Sequence, residues 1–393
     1  MTTKRQLLKL SFGLVAAACA ATVGAADTGP IKIGLILPMT GQSASTGRQI
    51  DAAVKLWVAQ NGNKVAGRTV EIIVKDDGAV PDATKRIAQE LIVNDKVMVI
   101  AGFGITPTAL ATAPLATQSK TPLVVMAAAT SSITEASPYI VRTSFTLPQV
   151  TTPMADWAIK NNIKKVITLV ADYGPGFDAE KFFDSQFRLN GGQILDKLRT
   201  PLRAPDFAPV LQKVADAKPD ALFVFLPSGQ GAAFMKQFAE RGLDKSGIRL
   251  IATGDVTDDD QLNDMGEVAL GVVNSHHYSA AHPSPTNKKF VEAFQAANKF
   301  RPNFMAVGGY DGMRVIYKAL EATKGAGGEA LLNAMKGQIF ESPRGPVYID
   351  GQTRDIVQDV YVRKVERVAA MGNGLYNVEF DVIKAVKDPG KNK

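Results

Sequence analysis

The side chains able to do chemistry in this 393-residue sequence gather in short loops of hydroxyl and small residues. Three such loops read PMTGQSASTG (38–47), GFGITPT (102–108) and AAATSS (127–132), and each follows an apolar, β-branched run. Loops of that kind place neutral hydroxyls and helix-start N–H groups beyond the ends of strands, which suits an anion. Taken singly, each loop reads equally well as a turn with a helix cap.

Two further runs invite a metal reading, His276-His277 and Thr257-Asp258-Asp259-Asp260. Adjacent residues of a strand point to opposite faces, so the two histidines are not expected to share an ion. The Thr-Asp run ahead of Gln261 and Leu262 reads as helix capping. Neither a metal nor a cofactor is therefore expected. Catalytic motifs are missing as well: the sequence has no GxSxG elbow and no Walker loop, and Gly102-Phe103-Gly104 lacks the third glycine of a dinucleotide fingerprint. A binding protein is expected rather than an enzyme.

The elements that must position these loops follow from periodicity. IKIGLIL (31–37), VEIIVKDD (70–77) and VMVIAG (97–102) read as buried strands. Between them lie helical stretches such as TGRQIDAAVKLWVAQNG, whose Ile50, Ala53, Val54, Trp57 and Val58 recur at helical spacing. The alternation continues along the chain and predicts an α/β fold with parallel sheets covered on both faces.

Residues 1–26 combine Lys4, Arg5 and Lys9 with an apolar run from Leu10 to Ala21 and a small-residue exit at Ala25 and Ala26. That is the layout of a cleavable secretory leader, too short to span a bilayer. The single cysteine, Cys19, lies inside it, so a chain cut at Ala25 or Ala26 carries no thiol. A lipid-modified Cys19 is the alternative, although Ala16-Ala17-Ala18 lacks the larger aliphatic residue usual before such sites. The formal charge of +7 falls by three without Lys4, Arg5 and Lys9, and both signs are interspersed. Nothing there points to nucleic acid. The remaining length suits two lobes, and a soluble periplasmic monomer is expected.

GLILPMTGQSASTGRQIDAAVKLWVAQNG and GRTVEIIVKDDGAVPDATKRIAQELI, followed in order by VVMAAATSS, ADYGPG, LIATGDV and FRPNFMAVGGYDGMRVIYKALEAT, resemble the leucine/isoleucine/valine-binding protein family. The resemblance implies a type I periplasmic binding protein: two Rossmann-like lobes with parallel sheets, joined by a three-stranded hinge and closing on a ligand. Lobe one would comprise 31–148 and 277–345, and lobe two 149–276 and 346–383, with 384–393 a disordered tail. The crossovers would fall at Thr146 to Val150, Asn274 to Tyr278 and Ser342 to Val347. The implied role is the substrate-binding component of an ABC importer that hands a small carboxylate to an inner-membrane permease. A ligand sensor of the same fold is the alternative.

Carried onto this sequence, the resemblance sets the ligand carboxylate against Thr106, Ala128 and Thr130 of lobe one. On lobe two, Tyr173 would close over the ligand, Asp255 would meet an ammonium, and Ser228 would sit on a further ligand-facing loop. Two positions depart from the family: Thr46 and Met305 stand where large aromatic residues are frequent, which widens the side-chain end of the pocket. Asp255 is also one methylene shorter than the usual glutamate. If Asp255 reaches the cleft, its charge calls for an ammonium, and the ligand is a branched-chain or related apolar amino acid. If it caps the next turn, an aromatic carboxylate or keto acid fits better.

Overall fold

A computed structural model describes residues 29–391. The leader expected at 1–26, with Cys19, lies outside them. Within the described residues no helix is long and apolar enough to cross a membrane.

The first segment alternates as read: β1 (Ile31–Leu37), α1 (Ala44–Asn61), β2 (Lys64–Val65), β3 (Arg68–Asp76), α2 (Pro81–Val93), β4 (Val99–Gly102), α3 (Thr106–Ser119), β5 (Leu123–Val125) and β6 (Ile140–Arg142). These strands form a sheet in the order β2-β3-β1-β4-β5-β6. The pairs from β3 to β6 are all parallel, with Ile31 opposite Val70 and Ile100 opposite Leu123. Every residue of β4, β5 and β6 is buried, as a parallel sheet with helices on both faces requires.

The chain then passes to a second sheet through α4 (Leu147–Lys160), β7 (Lys165–Ala171), α5 (Gly174–Leu189), β8 (Gln193–Thr200), α6 (Ala208–Ala217), β9 (Ala221–Phe225), α7 (Gly231–Glu240), β10 (Arg249–Thr253), α8 (Leu262–Met265) and β11 (Val273–His276). At the crossing, Thr146 and Gln149 form a reciprocal capping box on α4. After β11 the chain returns to the first lobe as α9 (Pro285–Asn298), α10 (Phe304–Ala322) and α11 (Gly328–Met335). There α10 lies along α1: Trp57 meets Tyr310 edge-on at 5.0 Å, and the Tyr310 hydroxyl donates to Gln60 Oε1 at 2.6 Å. The last strands, β12 (Ile339–Ser342), β13 (Gly345–Ile349), β14 (Ile356–Val368) and β15 (Gly374–Val386), complete the second sheet in the order β12-β13-β14-β11-β10-β9-β7-β8, with β15 on β14.

Two boundaries differ from expectation. Residues 339–345, expected in lobe one, are hydrogen-bonded into the second sheet because β12 and β13 form one antiparallel hairpin that pairs onward with β14. The hairpin also reaches back to the first lobe: Ser342 Oγ donates to Asp311 Oδ2 at 2.7 Å, and the buried Arg344 pairs with Asp311 at 2.8 Å. The tail expected to be disordered is also ordered through Lys391. β15 runs to Val386, and Asp388 accepts from Ser131 Oγ at 2.7 Å. Lys391 Nζ reaches Thr134 Oγ1 at 3.1 Å and Glu135 at 3.2 Å. Specific partners on the 3-10 turn Ser131–Glu135 thus hold a segment whose composition reads as solvent-loving.

Candidate ligand-binding cleft

The loops after β1, β4 and β5 face those after β7, β9 and β10, so the cleft opens beyond the carboxyl ends of the parallel strands of both sheets. A small cavity of about 30 Å³ lies between the lobes. Thr46, Thr106, Ala128, Tyr173, Ser228, Asp255 and Met305 all line it. Thr130 stands just behind the wall, where its Oγ1 lies 2.8 Å from Thr106 Oγ1.

Thr106 opens α3 and is followed by Pro107, so helix formation leaves its N–H without an intrahelical acceptor. Its hydroxyl is turned by Thr130 toward one orientation. Ala128 was expected to offer backbone groups to the ligand, but its N–H is spent on the Phe103 carbonyl at 3.0 Å. The Ala128 carbonyl accepts from Ser144 Oγ at 3.2 Å and keeps a second lone pair. Ser228 is likewise committed, since its hydroxyl donates to Asp258 Oδ2. Ser228 belongs to lobe two; what remains on the lobe-one wall for a carboxylate is the start of α3 with the hydroxyls of Thr46 and Thr106.

Lobe two closes against that wall. Gly174, the first residue of α5, comes so near that a Cβ there would stand 2.8 Å from Thr130 Oγ1 and 3.4 Å from Thr106 Cγ2. Further contacts cross the cleft: Ser131 N–H donates to Asp178 Oδ2 at 2.8 Å, Arg48 pairs with Asp260 at 2.9 Å, and Asn303 Nδ2 donates to Asp258 Oδ2 at 3.0 Å. The acidic run at 258–260 is therefore an interlobe cluster rather than a helix cap, and α8 has no side-chain cap. Burial pushes Asp258 well above the usual carboxylate range, with Asp260 acting in the same direction.

The lobe-two wall is aromatic and acidic. Tyr173 stacks on Phe225 at 6.1 Å, and with Phe145 these rings surround much of the cavity. Burial, and after it Asp255, raises the Tyr173 phenol, so it stays protonated. Asp255 does reach the cleft; its Oδ2 is buried, accepts no hydrogen bond and lies 3.5 Å from His276 Nε2. Beneath it, Arg363 packs so tightly against Gly254 that a Cβ there would collide with Nη2. Burial lowers the Arg363 guanidinium, while Asp259, Glu379 and Asp255 act the other way.

His276 and His277 correct an expectation. Their rings are tilted neighbours with centroids 4.4 Å apart, not on opposite faces. Strand geometry ends at His276, so alternation does not extend to His277. Phe145 and Phe304 enclose the pair. Burial lowers His276 to about 4, against the opposing pull of Asp255, and lowers His277 well below its usual range. Both are neutral imidazoles at neutral pH. Among the described residues no group of three or more His, Cys, Asp or Glu side chains is arranged to hold a metal ion. Sequence reading missed Phe145 and Phe225 and weighed His276 only as a metal ligand; the only available signal was an aromatic or histidine at a strand end or crossover.

The model of a family described as periplasmic binding protein matches residues 30–372. The chain belongs to the periplasmic binding protein family. It is 44% identical, over 96% of each chain, to the Leu/Ile/Val-binding protein homolog 6 of Brucella abortus. A solute-binding protein of an ABC transporter from Rhodopseudomonas palustris BisB5, solved with 3,4-dihydroxybenzoic acid, is 62% identical with a TM-score of 0.91, over 92% of this chain and 99% of that one. Another from R. palustris, solved with 4-hydroxybenzoate, is 42% identical with a TM-score of 0.89 over the same shares. This periplasmic binding protein has the type I fold of two lobes and is the substrate-binding protein of an ABC transporter. Its family is one of transport proteins rather than enzymes and implies a periplasmic location.

Proposed function

We propose that the ligand is a small aromatic carboxylate, captured between the lobes and delivered to an inner-membrane permease. The observation that carries this reading is that the rings of Phe145, Tyr173 and Phe225 line the same cavity as the hydroxyl-bearing Thr46 and Thr106. A flat apolar ring finds aromatic partners there, while its carboxylate takes charge-assisted bonds from neutral donors at the start of α3. Asp255 does not oblige the ligand to bring an ammonium, because buried Arg363 already acts on its charge. The benzoate-class ligands of the two solved relatives support the same reading.

The second reading, an apolar amino acid, is favoured by the unpartnered Asp255 Oδ2, which could accept from an α-ammonium. Titration calorimetry decides between them with benzoate, 4-hydroxybenzoate, phenylpyruvate, leucine and phenylalanine. Aromatic carboxylates are expected to bind and to raise the melting temperature by mass action, with leucine silent. Tight binding of leucine and none of benzoate or its hydroxylated forms would defeat the aromatic reading. The transport role is tested by coupled uptake with the cognate permease; a sensor would bind equally well and support no uptake.

A further inference from the structure

Asp255 lines the ligand cavity, and its Oδ2, on the His276 side of the carboxylate, is buried and without a donor in the protein. A buried acceptor left unmade is costly, more so when it is charged. The side chains around it do not satisfy it. Arg363 spends its Nε and Nη2 on Asn274 Oδ1 and its Nη1 on the Tyr278 carbonyl. Tyr173 lines the cavity without bonding Asp255. His276 Nε2, at 3.5 Å, lies beyond a normal hydrogen bond, and neither of its ring nitrogens has another partner.

We propose that Asp255 accepts a hydrogen bond from a ring hydroxyl of the ligand, and that His276, whose packed ring stands 3.5 Å behind the carboxylate, is the positioning residue that limits how far it can turn away from the cavity. This rests on the aromatic-carboxylate reading and adds its selectivity. A phenol O–H supplies a donor to the Asp255 carboxylate, whereas an unsubstituted ring leaves that carboxylate facing apolar carbon. A site built to bond a substrate hydroxyl discriminates strongly against the analogue without it, because its own polar group is then stranded. His276 is not on the cavity wall. It sits behind Asp255, wedged against Phe145, His277 and Phe304, with centroids 4.3–4.7 Å away, so its ring has little freedom to swing away from the carboxylate.

The test is calorimetry of the full binding protein with benzoate, 3-hydroxybenzoate, 4-hydroxybenzoate, 3,4-dihydroxybenzoate and 4-methoxybenzoate, the last carrying an oxygen but no donor. At least one hydroxylated ligand is expected to bind about 100-fold tighter than benzoate, with the methoxy compound no better than benzoate. In Asp255→Asn that ratio should fall about tenfold or more, since the neutral amide oxygen is a weaker acceptor. Asp255→Ala, with its melting temperature checked, covers a misfolded first variant. For His276, the conservative pair separates positioning from packing. Glutamine places an amide nitrogen near Nε2 and should keep the ratio, while asparagine, whose amide lies nearer Nδ1, should lose it. Benzoate binding as tightly as every hydroxylated form overturns the inference while the aromatic reading stands. Binding of leucine alone overturns both, and equal ratios in the Gln and Asn variants remove His276 from the assignment.

Discussion

The two walls of the cleft are built on opposite principles. The lobe-one wall, at Thr46, Thr106 and Ala128, uses short neutral side chains and backbone groups fixed by helix starts and turns. The lobe-two wall, at Tyr173, Phe225 and Asp255, uses large rings and a carboxyl group with His276 and Arg363 packed behind it. The first can hold the feature common to many ligands, a carboxylate, and release it readily because no full opposite charge is involved. The second meets whatever distinguishes one ligand from another. On the proposed reading, affinity and selectivity would reside on different lobes, so that each could be altered with limited effect on the other.

The sharpest way to break the arrangement is to keep the walls apart. Gly174→Leu places a side chain where even a Cβ would stand 2.8 Å from Thr130 Oγ1, so calorimetry should show affinity for any ligand reduced about 100-fold or more. Thermal stability should change far less, because the clash forms only on closure. Retained tight binding would mean that Gly174 does not set the closed spacing.

Acid should next separate the walls, because the residues of the lobe-one wall do not titrate. His276 and His277 are neutral when folded, His276 down to about 4, but would take up protons near 6.5 when unfolded. Their contribution is therefore intact above pH 6.5 and is lost as pH falls from about 6.5 toward 4. The cost by pH 5 should be on the order of 2–4 kcal/mol for the pair. Urea unfolding of wild type and His277→Phe at pH 7.5 and 5 measures it; identical pH slopes in the two proteins would rule out His277 as a source.

Thr130→Val tests the lobe-one wall from behind. It removes the hydroxyl partner of Thr106 at nearly constant volume, so ligand binding should weaken by about 1–2 kcal/mol with an unchanged fold. The ratio of hydroxylated to plain benzoate should stay as in wild type, since that ratio belongs to the other lobe; a changed ratio would show the walls to be coupled. The smallest effect is expected at the rim. Arg48 is about half exposed, so Arg48→Ala should cost roughly 0.2–1 kcal/mol of binding and lose even that in high salt.

Much of the fold was legible because it is written in local periodicity. Parallel strands buried on both faces read as apolar runs, and the loops that follow them carry Thr106 and Ala128 to the cleft. What escaped was decided by contacts distant in sequence. Thr130 was expected on the wall but stands one layer behind it, bonded to Thr106. His276 and His277 share a pocket because the strand ends between them. Asp258 reads as a cap and is a buried interlobe acceptor, because its donors, Ser228 and Asn303, are 30 and 45 residues away. The segment after Val386 has the composition of a loose end, yet the partner of Asp388 lies 257 residues earlier.

That clasped end bears on how the molecule could be made into an optical reporter. The last strand belongs to the second sheet, but residues 388–391 are pinned to the Ser131–Glu135 turn of the first lobe. A dye attached within residues 388–391 would ride with lobe one, although the chain that carries it arrives from lobe two. Paired with a second dye on an exposed lobe-two helix, such as at Lys236, it would report the separation of the lobes as energy transfer. Cutting the clasp with Asp388→Ala should broaden that distance distribution, turning the C-terminus from a fixed mounting point into a tether.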